Sequence, residues 1–367
     1  MKVLIFTNQA NGLVLFRKEL LQAFTKEGWE TVVSVPWDEK CKKIEELGCK
    51  VRKTQLERRG MNPIKDMKLL IQYLALLKEE RPDVVLTYTI KPNLYGGLAC
   101  RMRRVPYLMN ITGLGTSLEN PGLLGKVLIQ FYRFVAAGAR CVFFQNEGNR
   151  SFMQNHKIAR NNSCLLPGSG VNLKEHPLQE YPTEKDGMRF LAVLRIMRDK
   201  GVSEFLEAAT ILKKEYQNLT FDLVGGYEEE YRAEYEPWLQ ELEKQGVIRY
   251  LGHSNEVPKI MADSHVIVHP SYHEGLSNVL LEAAACGRPV LASNIAGCKE
   301  TLVDGISGLL FESKSTDSLV ESVRKIVGFT SEERKEMGIR GRNHVEAIFD
   351  RQKVIEAYLT EIKKIKK

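Results

Sequence analysis

Two carboxylates eight positions apart, Glu274 and Glu282 in HEGLSNVLLEAAACGRPVLAS, have the residue type and spacing to do chemistry. Val266, Ile267 and Val268 before them form an apolar β-branched run that reads as a buried strand end. A turn on Pro270 and Gly275 follows. Ser277 then opens a helical pattern through Val279, Leu280, Ala283 and Ala284, which Gly287 and Pro289 stop before a new strand at Val290 and Leu291. Glu274 therefore falls in the turn before a helix, and Glu282 within that helix. Gly275 allows close backbone approach. The N–H groups of Leu276, Ser277 and Asn278 are expected as free first-turn donors, a seat for a phosphate at the positive end of the helix dipole. Carboxylates on either side would accept hydrogen bonds from neutral hydroxyls. One phosphate with hydroxyls beside it describes a nucleotide sugar. An ordinary strand–turn–helix with two solvated glutamates would show the same spacing. Gly275, the small helix face and the proline-bounded strand weigh for the ligand seat.

This stretch closely resembles the Glu-x7-Glu signature of the family 4 retaining glycosyltransferases, and the likeness extends, more weakly, over nearly the whole chain. The resemblance implies the GT-B fold: two Rossmann-like doubly wound α/β domains facing across a cleft. It also implies retaining transfer from a nucleotide sugar, with no enzyme nucleophile required. Glu274 would orient the donor sugar and stabilise developing positive charge, and Glu282 would hold the ribose hydroxyls. Arg195 and Lys200 in LRIMRDKG, just after a strand and before Gly201, resemble the family's diphosphate clamp, where a guanidinium fork and an ammonium neutralise the leaving group. Solvated surface charges would look alike, but the carboxyl end of a parallel strand favours contact with ligand. In similar enzymes, loops such as those at Gly225, His253 and Val257 hold the base.

The N-terminal half would bind the acceptor. Gly12 in a short glycine turn after the first strand, Arg17 one helical turn on, and Lys91 in TIKPNLYGG are placed to meet an acceptor diphosphate. They resemble enzymes extending a sugar on a polyprenyl diphosphate, particularly the bacterial α-1,3-N-acetylgalactosaminyltransferases. Many relatives carry histidine near the reacting sugar; this chain has Thr112 there, in Asn110-Ile111-Thr112-Gly113, with no role assigned beyond proximity to donor. The chain contains no D-x-D, so no bridging metal and no cofactor beyond the UDP-linked co-substrate are expected.

Strict alternation of apolar runs and helical patterns argues parallel sheets wrapped by helices. Strands are expected at 2–6, 31–35, 50–54, 84–87, 107–111, 141–144 and 163–166, and, after Pro167-Gly168-Ser169-Gly170, at 190–194, 220–224, 247–251, 265–268 and 289–292. One helix is expected through Phe16 to Phe24. Domains are read as 1–168, which binds acceptor, and 169–350, which binds donor, with a final helix from about 351 to 367 packing back on the first.

Composition is that of a globular protein, 43% hydrophobic and 27% charged. No apolar run is long enough to span a bilayer, and the N-terminus MKVLIFTNQANG is not a signal peptide. Seven scattered cysteines without a C-x-x-C pair fit a reduced, cytoplasmic setting. The net charge is +7, and part of the excess is local, at Arg58 and Arg59, at Arg101, Arg103 and Arg104, and at Lys363, Lys364, Lys366 and Lys367. An anionic membrane surface suits these patches at least as well as nucleic acid, since they are not interleaved with a recognised aromatic binding motif. Pro121 to Ala137 reads as a helix packed on the core or one whose apolar face meets membrane. The expected protein is a membrane-peripheral glycosyltransferase of the cytoplasmic face, moving an N-acetylhexosamine from UDP to a lipid-linked saccharide in surface polysaccharide or capsule assembly. Its rivals are a UDP-sugar epimerase or hydrolase of the same fold, and a non-catalytic protein binding membrane or nucleic acid.

Overall fold

A computed structural model describes residues 1–57, 62–114, 118 and 122–365. Arg58, Arg59, Pro121, Lys366 and Lys367, singled out above, lie outside the described residues. The chain forms two compact units: Met1–Ser169 with Gln352–Lys367, and Gly170–Arg351.

Unit 1 is built on β1 (Lys2–Phe6), β2 (Glu30–Val35), β3 (Lys50–Lys53), β4 (Val84–Tyr88), β5 (Tyr107–Ile111), β6 (Cys141–Phe144) and β7 (Ser163–Leu165). They pair in the order β3-β2-β1-β4-β5-β6-β7, all parallel. β4 and β5 are buried along their whole length because helices cover both faces, which is why they read as continuous apolar runs. The helices are α1 (Ala10–Phe16), α2 (Lys18–Lys26), α3 (Cys41–Glu46), α4 (Pro63–Glu80), α5 (Gly97–Arg103), α6 (Leu123–Ala136) and α7 (Glu147–Asn155). Apolar residues of α1, α2 and α3 share one core with one sheet face, and those of α4, α5, α6 and α7 share another. α4 starts where it does because Asn62 caps the N–H groups of Ile64 and Lys65 and Pro63 occupies the first position.

The single helix expected through Phe16 is two. It breaks at Arg17, whose φ of −136° leaves the helical region. Gly12 therefore lies inside α1 and not in a glycine turn. The C-terminal helix Arg351–Ile365 buries Val354, Ile355, Tyr358 and Ile362 in the core of α1, α2 and α3. Each such side chain stabilises the docking by about 1.5–3 kcal/mol.

Unit 2 contains β8 (Met188–Val193), β9 (Leu219–Val224), β10 (Ile248–Tyr250), β11 (Val266–His269), β12 (Val290–Ser293) and β13 (Gly308–Phe311), in the parallel order β10-β9-β8-β11-β12-β13. β13 was not expected from sequence. It is short, lies at the sheet edge and opens at Gly308, where a Cβ would come within 2.5 Å of the Val290 carbonyl oxygen. The helices are α8 (Val202–Glu215), α9 (Glu229–Lys244), α10 (Val257–Ala262), α11 (Asn278–Ala285), α12 (Thr316–Val327) and α13 (Ser331–Phe349). Thr330 and Glu333 form a reciprocal cap at the start of α13. Glycine at 338 lets α13 press onto the end of α11, since a Cβ there would sit 2.0 Å from the Gly287 carbonyl oxygen. Leu276, Leu281, Ala284 and Ala285 then pack with Val345 and Phe349, which fixes the helix that carries Glu282.

Candidate active site

The strand order of unit 2 reverses between β8 and β11, so the loops leaving these two strands diverge around a crevice at their carboxyl ends. Those loops carry Arg195 and Lys200 on one side and Glu274 on the other. They are bound together: Tyr272 N–H donates to Asp199 O at 2.9 Å, and Gly201, at φ +67°, leaves room for the Pro270 carbonyl, which a Cβ would meet at 2.1 Å. Gly225, at the end of β9, is held likewise against the Leu194 carbonyl, and its N–H donates to Gly252 O at 2.9 Å.

Lys200 ends a short 3₁₀ turn, and its ammonium donates to Glu274 Oε1 at 2.6 Å and to Ser271 Oγ at 3.1 Å. The same Oε1 lies 2.9 Å from His269 Nε2, which is 3.1 Å from Ser277 Oγ. Glu274 Oε2 has no hydrogen-bond partner among the described residues. Burial opposes the Glu274 charge, but His269 and Lys200 outweigh it and hold the carboxyl below its usual range. The group is thus an anion with one oxygen pinned and one open, suited to accept from a hydroxyl. His269 and Ser271, both buried, were not read from the sequence; the strand was expected to end at Val268, and it runs to His269.

Arg195 is half-exposed, and its guanidinium pairs with Glu228 on the adjoining loop. Glu282 lies part-buried in α11. Burial pushes its carboxyl up to about 7, with Arg351 opposing and Glu175 adding to the rise. The expected trio of free N–H donors is corrected at Ser277: its N–H donates to Gly297 O at 2.8 Å and its hydroxyl caps Leu280 N–H at 3.4 Å. Leu276 N–H and the first-turn residue Asn278 remain beside Gly275, while the Leu276 side chain is core. His253 is exposed on the loop after β10, and Val257 packs half-buried at the start of α10.

The reversal in unit 1 falls between β1 and β4. Arg17 is buried there, donating to Phe16 O and lying 5.7 Å and 6.0 Å from the rings of Tyr88 and Tyr358. Among the described residues, Asn8 Oδ1, Arg17 Nε, Tyr88 OH and Thr89 Oγ1 are buried polar atoms without hydrogen-bond partners. Such a set costs free energy unless something completes it. Asn8, Tyr88, Thr89 and Tyr358 carried no sequence signal. Lys91 does not stand free for an anion: it donates to the buried Asp66 at 2.8 Å. Asp66 in turn lines a pocket of about 510 Å³ with Trp37, Lys53, Lys65 and Lys68. Thr112 lies part-buried just past β5. Among the described residues, no group of three or more His, Cys, Asp or Glu is placed to hold a metal ion.

Residues 175–344 match the family model described as glycosyl transferases group 1, and residues 2–146 match glycosyl transferase 4-like. Among curated relatives, an N,N'-diacetylbacillosaminyl-diphospho-undecaprenol α-1,3-N-acetylgalactosaminyltransferase of Campylobacter jejuni is 29% identical over 341 residues, 88% of each chain. A UDP-Gal:α-D-GlcNAc-diphosphoundecaprenol α-1,3-galactosyltransferase of Escherichia coli is 27% identical over 73% of this chain and 72% of its own. The capsular polysaccharide biosynthesis glycosyltransferase CapM of Staphylococcus aureus is 25% identical over 79% of both. In fold, the crystal structure of Anabaena HepE in complex with UDP and glucose superposes with a TM-score of 0.82 over 99% of both chains at 15% identity. The architecture is that of the GT-B glycosyltransferases.

Proposed function

Since the chain belongs to the glycosyl transferase family described by these models, we propose that it transfers an N-acetylhexosamine, with retention, from a UDP-linked donor to a saccharide on a polyprenyl diphosphate. The observation that carries the reading is the Lys200–Glu274–His269 cluster at the strand-order reversal of unit 2, with Glu282 in the following helix. The relatives named for lipid-linked acceptors and capsule assembly support the acceptor class and a role in surface polysaccharide synthesis.

In this reading the C1–O bond to the diphosphate breaks and a C1–O bond to the acceptor hydroxyl forms on the same face. The hydroxyl proton passes to the leaving diphosphate. Lys200 and Arg195 neutralise that diphosphate, so no metal is needed. Gly275, Leu276, Ser277 and Asn278 present the backbone turn to it. Glu274 Oε2 accepts from a donor-sugar hydroxyl, and Glu282 accepts from the ribose. Gly225, His253 and Val257 border the base. The unpartnered polar set around Arg17 receives polar groups of the acceptor, with Gly12 and Thr112 nearby in unit 1 and Lys91 acting through Asp66.

No helix among the described residues is long and apolar enough to cross a membrane. All seven cysteines are free, six of them buried. We place the enzyme on the cytoplasmic face of the cell membrane, bound peripherally to its anionic surface, with no nucleic-acid partner. The test is product formation from a panel of UDP-, GDP- and ADP-sugars with and without a polyprenyl-diphosphate-linked sugar. Acceptor-dependent release of UDP with one UDP-N-acetylhexosamine supports the reading. Turnover of donor alone would make the protein an epimerase or hydrolase.

A further inference from the structure

The helices on one face of the unit 1 sheet turn an unusual set of side chains outward. On α4, Ile64, Met67 and Ile71 are exposed at a spacing that puts them on one stripe. Its neighbour α5 exposes Met102. Next to α5, α6 exposes Leu123, Leu124, Val127 and Phe134, with Leu123 at 81% exposure. The inward residues of all three helices share one core, so these outward residues face away from the same side of the sheet. On the opposite layer, among the described residues of α1, α2, α3 and the C-terminal helix, Leu15 is the one large apolar side chain so exposed. Apolar exposure in unit 1 is thus concentrated on one helical layer. A contiguous display of this kind marks an interaction surface.

Charge says which surface it meets. Between Asp83 and Glu147 the sequence holds Lys91, Arg101, Arg103, Arg104, Lys126, Arg133 and Arg140 against one carboxylate, Glu119. Arg103, Arg104 and Lys126 are exposed beside the apolar residues, as are Lys65 and Lys68 on α4. Arg101 packs its guanidinium 4.2 Å over the Phe134 ring, holding cation and apolar group together at the surface. On α5 and α6 the apolar side chains are interleaved with cations and neither helix holds a carboxylate, whereas on α4 Lys65 pairs with Glu57 and Glu79 is exposed. The α5–α6 part suits an anionic lipid headgroup layer with acyl chains beneath. A second copy of this chain would bring the same cations against each other.

We propose that the outer surface of α4, α5 and α6 is the membrane-docking face, seating unit 1 on an anionic bilayer. The proposal deepens the lipid-linked acceptor reading by assigning the surface that meets the lipid. It can be tested without donor or acceptor, so that the two fail separately.

The full chain is sedimented with vesicles of phosphatidylglycerol and phosphatidylcholine, or of phosphatidylcholine alone, at low and high salt. Wild type is expected to partition onto the anionic vesicles and to be weakened by salt. The double variant Leu123→Glu/Val127→Glu, whose side chains are exposed and whose fold is checked by circular dichroism, should lose about tenfold or more in partitioning. Arg103→Glu/Arg104→Glu should lose at least about fivefold per residue, and only on anionic vesicles. Both variants should transfer sugar to a short-chain, water-soluble acceptor as wild type does. Partitioning of wild type onto neither vesicle, or of both folded variants like wild type, overturns the assignment. So does a wild-type dimer in analytical ultracentrifugation that Leu123→Glu/Val127→Glu dissolves, since a second copy would then cover the face. Vesicle binding without transfer to any acceptor would instead sink the enzymatic reading alone.

Discussion

Lys200 donates to Glu274 Oε1 across 2.6 Å, joining residues 74 positions apart on the two loops that leave unit 2 where its strand order reverses. In the proposed reading, the residue assigned to the diphosphate and the one assigned to the donor sugar form one ion pair. A leaving diphosphate must draw Lys200 from Glu274, and substitutions at the two ends should separate binding from rate. Lys200→Ala should weaken UDP binding and lower the transfer rate by about 10²–10³. Glu274→Gln should lower the rate on a similar scale while binding UDP as well as wild type or better, because the ammonium is released. Calorimetry with UDP alone distinguishes them; equal loss of UDP affinity in both would refute the division of roles.

Glu282 gives the donor step a pH dependence. Its carboxyl sits at about 7, raised mainly by burial. In the proposed role of accepting from ribose hydroxyls it works best ionised, so the KM for the donor should fall as pH rises from about 6 to 8. In Glu282→Gln this slope should vanish and donor affinity should be low throughout. A wild-type profile flat over that range would remove Glu282 from the nucleotide site.

The same carboxyl makes a stability prediction of opposite sense to activity. A folded pKa above the ordinary 4.5 means the native state holds the proton more tightly than the unfolded chain. Stability is then present in full below about pH 4.5 and is lost as pH rises through about 7. Glu282→Gln removes that loss. It should melt close to wild type at pH 5 and be more stable at pH 8, by on the order of 1–3 kcal/mol. Thermal unfolding at the two pH values reads it directly; a variant less stable at pH 8 would place a compensating partner on Glu282.

Much of this architecture could be read from the chain. β4, β5, β8 and β11 announce themselves as apolar runs because both sheet faces are covered, and the alternation with helices follows from that. Gly225 read only as a loop glycine, and its close approach to the Leu194 carbonyl appears in the structure. Alternation does not specify strand order, however. It is the order that brings Lys200 to Glu274. The break at Arg17 was hidden because helix propensity is local, whereas Arg17 is held by rings from Tyr88 and Tyr358, distant in sequence. His269 could not be told from a strand residue because its contact with Glu274 depends on how the turn through Pro270 doubles back. β13 was missed because four residues at a sheet edge show no period.

Metal independence has its own test. With no D-x-D in the chain, the positive charge at the leaving group is assigned to Lys200, Arg195 and the backbone turn at Gly275. Transfer should keep its full rate in excess EDTA, and added magnesium or manganese should leave it unchanged. Activity abolished by the chelator and restored by a divalent ion would require a different account of the leaving group.

The sharpest geometric prediction concerns Gly297, which no part of the signature includes. It sits at φ +87°, and a Cβ there would come within 2.7 Å of the Glu274 carbonyl oxygen and 2.8 Å of that of Gly275. Its own carbonyl accepts from Ser277 N–H. Gly297→Ala should push the Glu274–Gly275 turn outward as well as strain the backbone. Gly305 supplies the control: its φ of +74° carries the same strain, but nothing lies within 4 Å of a Cβ. Both alanine variants should lose about 1–2 kcal/mol in stability. Only Gly297→Ala should lose transfer activity, by about 10²-fold, the scale of a displacement near 1 Å at a reacting centre. If the two variants lose activity alike, backbone strain alone explains the effect, and the position of the Glu274 turn does not depend on Gly297.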